Sequence, residues 1–151
     1  MILPDLGSTL ALGARLAAVA RPGDAILLSG PLGAGKTSIA RGLLAALGLE
    51  EEAPSPSFAI VQPYDPPEVA FPVLHVDLYR IDDPAEIDEL GLDEARSDSL
   101  LVVEWPERAG EGAWPDALRL TLGPSEDGAE GGRALTAEVP PGWKDRWPSS
   151  T

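Results

Sequence analysis

Gly30-Pro31-Leu32-Gly33-Ala34-Gly35-Lys36-Thr37 fills every fixed position of the phosphate-cradling pattern G-x-x-x-x-G-K-[ST]. Lys36 is one of two lysines in 151 residues, the other being Lys144 near the end. A lysine-poor chain has therefore placed one of its two where a phosphate needs a point charge. Working outward, Ala25-Ile26-Leu27-Leu28-Ser29 is a short apolar run of strand length, and Ser38 to Leu47 reads as a helix. Strand, glycine loop and helix come in the order that a phosphate-binding βα unit requires.

The residue types explain the spacing. Glycines let successive backbone N–H groups turn inward and approach phosphate oxygens with no Cβ in the way. The helix that follows adds its unsatisfied N-terminal donors and the positive end of its dipole. The backbone from Gly30 through Leu32, Gly33, Ala34 and Gly35 to Ser38 is thus the expected cradle, with Lys36 reaching the outer phosphates. The Thr37 hydroxyl is placed for a magnesium ion bridging those phosphates.

Length and composition bound the rest. A chain of 151 residues is one domain in size, predicted here as a single domain over 1–139 followed by a poorly ordered tail over 140–151. Every apolar stretch is broken by Arg, Gly or Pro well short of a membrane-spanning length. Met1-Ile2-Leu3-Pro4-Asp5 lacks the basic-then-apolar layout of a secretory leader, so a cytoplasmic protein is expected. There is no cysteine, which excludes disulfides and thiolate metal sites. A formal net charge of −14 repels nucleic-acid backbones and argues against direct, nonspecific nucleic-acid binding; the acidic surface is compatible with a basic protein partner but reads more readily as simple solubility.

Along the chain, Ser8 caps a predicted amphipathic helix over Thr9 to Ala20, and Pro22-Gly23-Asp24 turns into the first strand. Glu50 to Ser57 is an acidic, proline-rich connection. Further strands are predicted over Phe58 to Tyr64, Val73 to Arg80, Leu100 to Glu104, Ala117 to Leu122 and Ala134 to Val139. Asp83-Pro84 opens a short acidic helix, Ala85 to Leu90, closed by Gly91. Leu100 to Val103 is apolar throughout, the pattern of a central strand buried on both faces.

Nucleotide hydrolases of this kind need a carboxylate at a strand end near the metal. Glu104 ends the most apolar run and is the better match for the carboxylate at the metal; Asp77 ends a run interrupted by His75 and is the second candidate, and either could orient water. His75 and Asp77 alternate and point to one face; as the single histidine of the chain, His75 reads more readily as packed than as catalytic. Arg80 is available for a phosphate or for a surface ion pair. No N-K-x-D or T-K-x-D guanine-reading element occurs, which favours an adenine nucleotide, and no arginine-bearing lid like that of metabolite kinases is visible.

Taken together these residues resemble the TsaE (YjeE) family of bacterial ATPases required for threonylcarbamoyladenosine modification of tRNA. The resemblance is carried by the Gly30 to Thr37 loop, by Ser55-Pro56-Ser57-Phe58, by His75-Val76-Asp77-Leu78-Tyr79-Arg80 and by Val103-Glu104-Trp105-Pro106. It implies a P-loop NTPase fold: an α/β three-layer domain with a largely parallel central sheet and added antiparallel strands. It also implies an Mg-dependent ATPase with ATP held by the loop, Thr37 and Glu104 at Mg2+, Asp77 needed for turnover, and Ser57 in a loop that senses the terminal phosphate. Trp105 would lie beside the nucleotide, and Thr9, Gly132 and Arg133 would fall where the family brings loops toward it. Ser57 replaces the commoner threonine, keeping the hydroxyl and losing a methyl. The implied partners are TsaB and TsaD, with tRNA contacted only through them and no membrane involved. The alternatives are a nucleotide-dependent binding module in which hydrolysis has no role, and a small-molecule kinase.

Overall fold

The structure is a computed structural model and describes residues 1–31, 35–51, 53, 60–110, 112–124 and 132–148. In chain order the elements are β1 (Ile2–Leu3), α1 (Leu6–Val19), β2 (Ala25–Ser29), α2 (Lys36–Ala46), β3 (Val61–Tyr64), β4 (Val73–Asp77), α3 (Ala85–Asp88), α4 (Leu92–Arg96), β5 (Leu100–Glu104), β6 (Leu118–Pro124) and β7 (Arg133–Glu138). They form an α/β fold around one seven-stranded sheet in the order β1-β7-β6-β2-β5-β4-β3. The inner four strands, β6, β2, β5 and β4, are parallel, whereas β7, β1 and β3 are antiparallel additions at the edges.

The alternation of side chains along the inner strands builds the three layers. Ile26, Leu28, Leu100, Val102, Leu118 and Leu120 face one way and pack with Leu12 and Leu16 of α1 and Ile39 and Leu43 of α2. Ala25, Leu27, Leu101 and Val103 face the other way, toward Ile87 of α3, Leu92 of α4 and Trp114. Continuing the alternation, His75, Asp77 and Glu104 lie on the α1–α2 face, which is what brings them under the start of α2.

α1 and α2 cross with almost no side chain between them. A methyl group added to Gly13 would collide with the Ile39 carbonyl oxygen, and one added to Gly42 with the Leu10 carbonyl oxygen. The intrinsic cost of glycine inside a helix is thus offset by close backbone approach. That approach sets Thr9 against the loop: its methyl lies 3.6 Å from where a Gly35 side chain would begin.

Several elements differ from the sequence reading. α1 begins at Leu6 with Asp5 as its cap, because the Asp5 carboxylate accepts from Ser8 N at 2.8 Å and Ser8 Oγ at 2.9 Å. β4 stops at Asp77, three residues before Arg80, since Asp77 turns its carboxylate back to the Tyr79 amide at 2.9 Å. Gly91, expected to end the acidic helix region, is left-handed (φ 66°) and leads into α4. β1 is too short to show in the pattern of residues. The tail is the larger correction: at 140–148 the chain packs onto the body. Pro141–Trp143 form a 3-10 turn with Trp143 buried, and Arg146 pairs in bidentate fashion with Asp24 while lying over the Trp143 ring. Ser55 to Phe58 and the middle of the Gly123 to Gly132 loop lie outside the described residues.

The helix crossing gives a direct test. Gly13→Ala and Gly42→Ala should each destabilise by about 1–3 kcal/mol, the cost of overpacking where backbone must move. Gly7→Ala, which meets only the Asp5 side chain at 3.4 Å, should be neutral or stabilise by up to about 1 kcal/mol. Urea denaturation of the three variants measures this, and a Gly42→Ala protein as stable as the wild type would refute the close crossing.

Candidate functional site

The carboxyl ends of β2, β4 and β5 and the first turn of α2 meet at one place. Register explains it: Leu28 pairs with Glu104 across β2–β5, and Asp77 pairs with Glu104 across β4–β5. The backbone then holds Glu104 from both sides, its carbonyl accepting from Leu78 N at 3.1 Å and the next amide, that of Trp105, donating to the Leu28 carbonyl at 3.2 Å. The Glu104 side chain is 3 % exposed. Thr37 Oγ1 donates to its carboxylate, 2.9 Å from Oε1 and 3.2 Å from Oε2. His75 Nε2 lies 2.6 Å from Oε2.

Gly35 adopts φ 105°, a left-handed conformation that opens α2 and suits glycine alone. Lys36 follows as the first helical residue and is 5 % exposed. Its Nζ donates to the carbonyls of Gly30 (2.5 Å) and Pro31 (2.9 Å) and lies 4.2 Å above the Trp105 ring. Burial lowers the Lys36 pKa, and the carboxylates of Glu104, Glu107 and Asp77 work against that shift. Trp105 itself is left-handed (φ 61°), an uncommon state for a residue with a side chain, and its ring packs on Tyr79 at 4.9 Å. That bend ends β5 sharply and turns the indole toward Lys36.

Asp77 is buried at the end of β4. Desolvation raises its pKa, reinforced by the neighbouring Glu104 charge; the Tyr79 amide is the largest opposing influence, with lesser ones from His75 and Lys36.

The structure therefore brings together Lys36, Thr37, Asp77, Glu104 and Trp105, with Thr9 against Gly35. Ser38 is the third residue of α2. Arg80 is exposed in the turn after β4. Gly132 and Arg133 lie at the same end of the sheet, two strands from β2, with the Arg133 guanidinium on the Gly132 carbonyl at 2.8 Å. Leu32, Gly33, Ala34 and Ser57 lie outside the described residues. Arg96, the one arginine between α3 and β5, ties to the Gly23 carbonyl and to Asp116, at the entry end of β2. The partner missed by sequence reasoning is His75: alternation placed it beside Asp77, whereas its contact with Glu104 required knowing that β4 and β5 are neighbours.

The oxygen donors of Thr37 and Glu104 suit magnesium, which takes hard oxygen ligands and keeps several waters. Among the described residues no cluster of three or more His, Cys, Asp or Glu side chains is arranged to hold a metal by itself. No helix among the described residues is long and apolar enough to cross a membrane.

A mixed α/β sheet with a parallel core, whose central strand enters a G-x-x-x-x-G-K-T loop beside a strand ending in a buried carboxylate, defines a protein of the P-loop class. A family model described as threonylcarbamoyl adenosine biosynthesis protein TsaE matches residues 3–133. The chain belongs to the TsaE family, and its role is in threonylcarbamoyladenosine modification of tRNA. Its relatives include the tRNA threonylcarbamoyladenosine biosynthesis protein TsaE of Streptomyces coelicolor, 44% identical over 112 residues that cover 74% of this chain and 76% of that one. The protein of the same name from Bacillus subtilis is 36% identical over 115 residues, 76% of this chain and 70% of the relative. The crystal structure of YdiB from Bacillus subtilis superposes with a TM-score of 0.78 at 27% identity, covering 96% of this chain and 87% of that one.

The raised Asp77 pKa makes a stability prediction. A carboxyl that holds its proton more tightly when folded contributes most below its unfolded value, and that contribution is lost as pH rises through the folded value. Asp77→Asn, which keeps an oxygen for the Tyr79 amide, should raise the melting temperature at neutral pH. The advantage should shrink as pH falls toward the ordinary aspartate value of 3.8. An unchanged or lowered neutral-pH melting temperature in scanning calorimetry would contradict it.

Proposed function

We propose that the protein is an Mg-dependent ATPase that serves threonylcarbamoyladenosine formation by docking on a TsaB–TsaD complex and hydrolysing ATP to support its repeated turnover. The observation that carries this reading is the Thr37–Glu104 contact, 2.9 Å across 67 positions of sequence, at the start of the helix that follows the glycine loop. In this role the loop amides and Lys36 hold the phosphates, and Thr37 and Glu104 hold the metal. Asp77 or Glu104, buried together at adjacent strand ends, orients the attacking water. A bound magnesium ion would supply charge neutralisation on the phosphate oxygens. For phosphoryl transfer such positioning and electrostatics are most of the catalysis.

The absence of a guanine-reading element supports ATP over GTP. The net charge of −14 supports a division of labour in which the partners, and not this chain, hold tRNA. A cytoplasmic location fits the same reading.

The test is phosphate release from ATP with magnesium, by the protein alone and with TsaB and TsaD from the same source. The pair should stimulate the wild type strongly. Lys36→Ala should lower kcat/KM by about 100-fold or more, as loss of a donor to the transition-state charge does elsewhere. Wild-type turnover in Lys36→Ala would end the ATPase assignment. A Glu104→Gln protein that loses hydrolysis yet still supports tRNA modification over many cycles would shift the role to nucleotide-dependent binding alone.

A further inference from the structure

His75 is fully buried on the α1–α2 face of the sheet, and among the described residues its one polar contact is made by Nε2, 2.6 Å from Glu104 Oε2. With Glu104 as a carboxylate, which can only accept, the proton of this contact is assigned to Nε2 as the donor. Nδ1 has no hydrogen-bond partner among the described residues. An imidazole held in an apolar layer with half of its hydrogen-bonding capacity unused is a poor choice for packing alone, because a leucine would fill the space without a buried polar atom. The use it does make is directional. Thr37 Oγ1 sits at similar distances from both Glu104 oxygens and so leaves the plane of the carboxylate loosely defined. A second, shorter contact to one oxygen, from a different strand, fixes it.

We propose that His75 is a positioning residue: by holding Oε2 of Glu104 it turns the carboxylate so that Oε1 and Thr37 Oγ1 together face the divalent cation. The inference rests on the Mg-nucleotide reading above and extends it to a residue outside the ligand set. Partners that orient a metal-binding carboxylate commonly change metal affinity by about 10- to 100-fold when removed. β4 thus supplies two side chains to the site from one face: Asp77 at its end, and His75 two residues earlier, behind Glu104.

Three substitutions separate orientation from packing. In His75→Gln the side-chain amide nitrogen reaches about as far as Nε2; in His75→Asn it reaches only about as far as Nδ1; His75→Leu fills the space with no donor. ATP binding is measured by calorimetry over a magnesium series and in EDTA, together with the melting temperature of each nucleotide-free protein. The expected result is equal ATP affinity in EDTA for all four proteins, a magnesium midpoint raised about 10-fold or more in the Asn and Leu variants, and a midpoint near wild type in Gln. The proposal is overturned if the Asn or Leu variant keeps the wild-type magnesium midpoint, or if Gln is as impaired as Leu. Should Leu fail to fold, the Gln and Asn pair decides alone. Wild-type protein that binds ATP without any magnesium dependence overturns this proposal and leaves nucleotide binding standing, whereas wild-type protein that binds no ATP overturns both readings.

Discussion

A carboxylate buried at the end of an apolar strand is the constraint around which this fold is arranged. Leu100 to Val103 are buried on both faces of the sheet, so the residue that follows them emerges in the middle of the structure rather than at its rim. A polar group there must be hydrogen-bonded. Glu104 obtains its contacts from Thr37 on α2 and His75 on β4. Each contact presupposes a piece of architecture: α2 must start directly after Gly35, and β4 must lie parallel to β5 in the register that pairs Asp77 with Glu104. The placement of one side chain therefore tests the sheet order and the loop geometry together.

The glycine crossing of α1 and α2 supports the same site from behind. Gly13 and Gly42 let the helices approach until backbone meets backbone, so α1 becomes a wall against the loop. Thr9, with its methyl beside Gly35, is where that wall touches the loop. At the other end of the sheet the C-terminal turn does comparable work. Arg146 joins Asp24 and the Val19 carbonyl, tying the end of α1 and the entry to β2 to the buried Trp143.

Much of this was legible in the residues because the signals were local. The loop pattern, the apolar run of β5 and its closing glutamate all lie within short windows, and the structure places β2 and β5 at the residues expected. What could not be read was either too short or too distant. β1 has two residues and exists only because β7 offers a free edge. The tail, rich in proline and glycine, looks unstructured until Trp143 has a core to enter and Arg146 an Asp24 to meet, 122 positions away. His75 is intermediate: its period along the strand gave the correct face, but its partner lies 29 positions on, across a pairing that no local pattern encodes.

The charged groups of the site carry an internal opposition. Lys36 and Asp77 are each pushed by burial toward their neutral forms, and the Glu104 charge adds to that pressure on Asp77 while opposing it on Lys36. Packing alone would favour replacing them with apolar residues of similar size. Among the described residues Lys36 meets carbonyls and an indole face rather than a direct carboxylate bond, contacts weaker than an ion pair. On the proposed reading, that is the condition for binding: an ammonium already neutralised by a tight ion pair would have to break it before meeting a phosphate. Held against weaker acceptors, it exchanges them at lower cost, and the instability of the ground arrangement becomes affinity for a ligand that supplies the missing opposite charges.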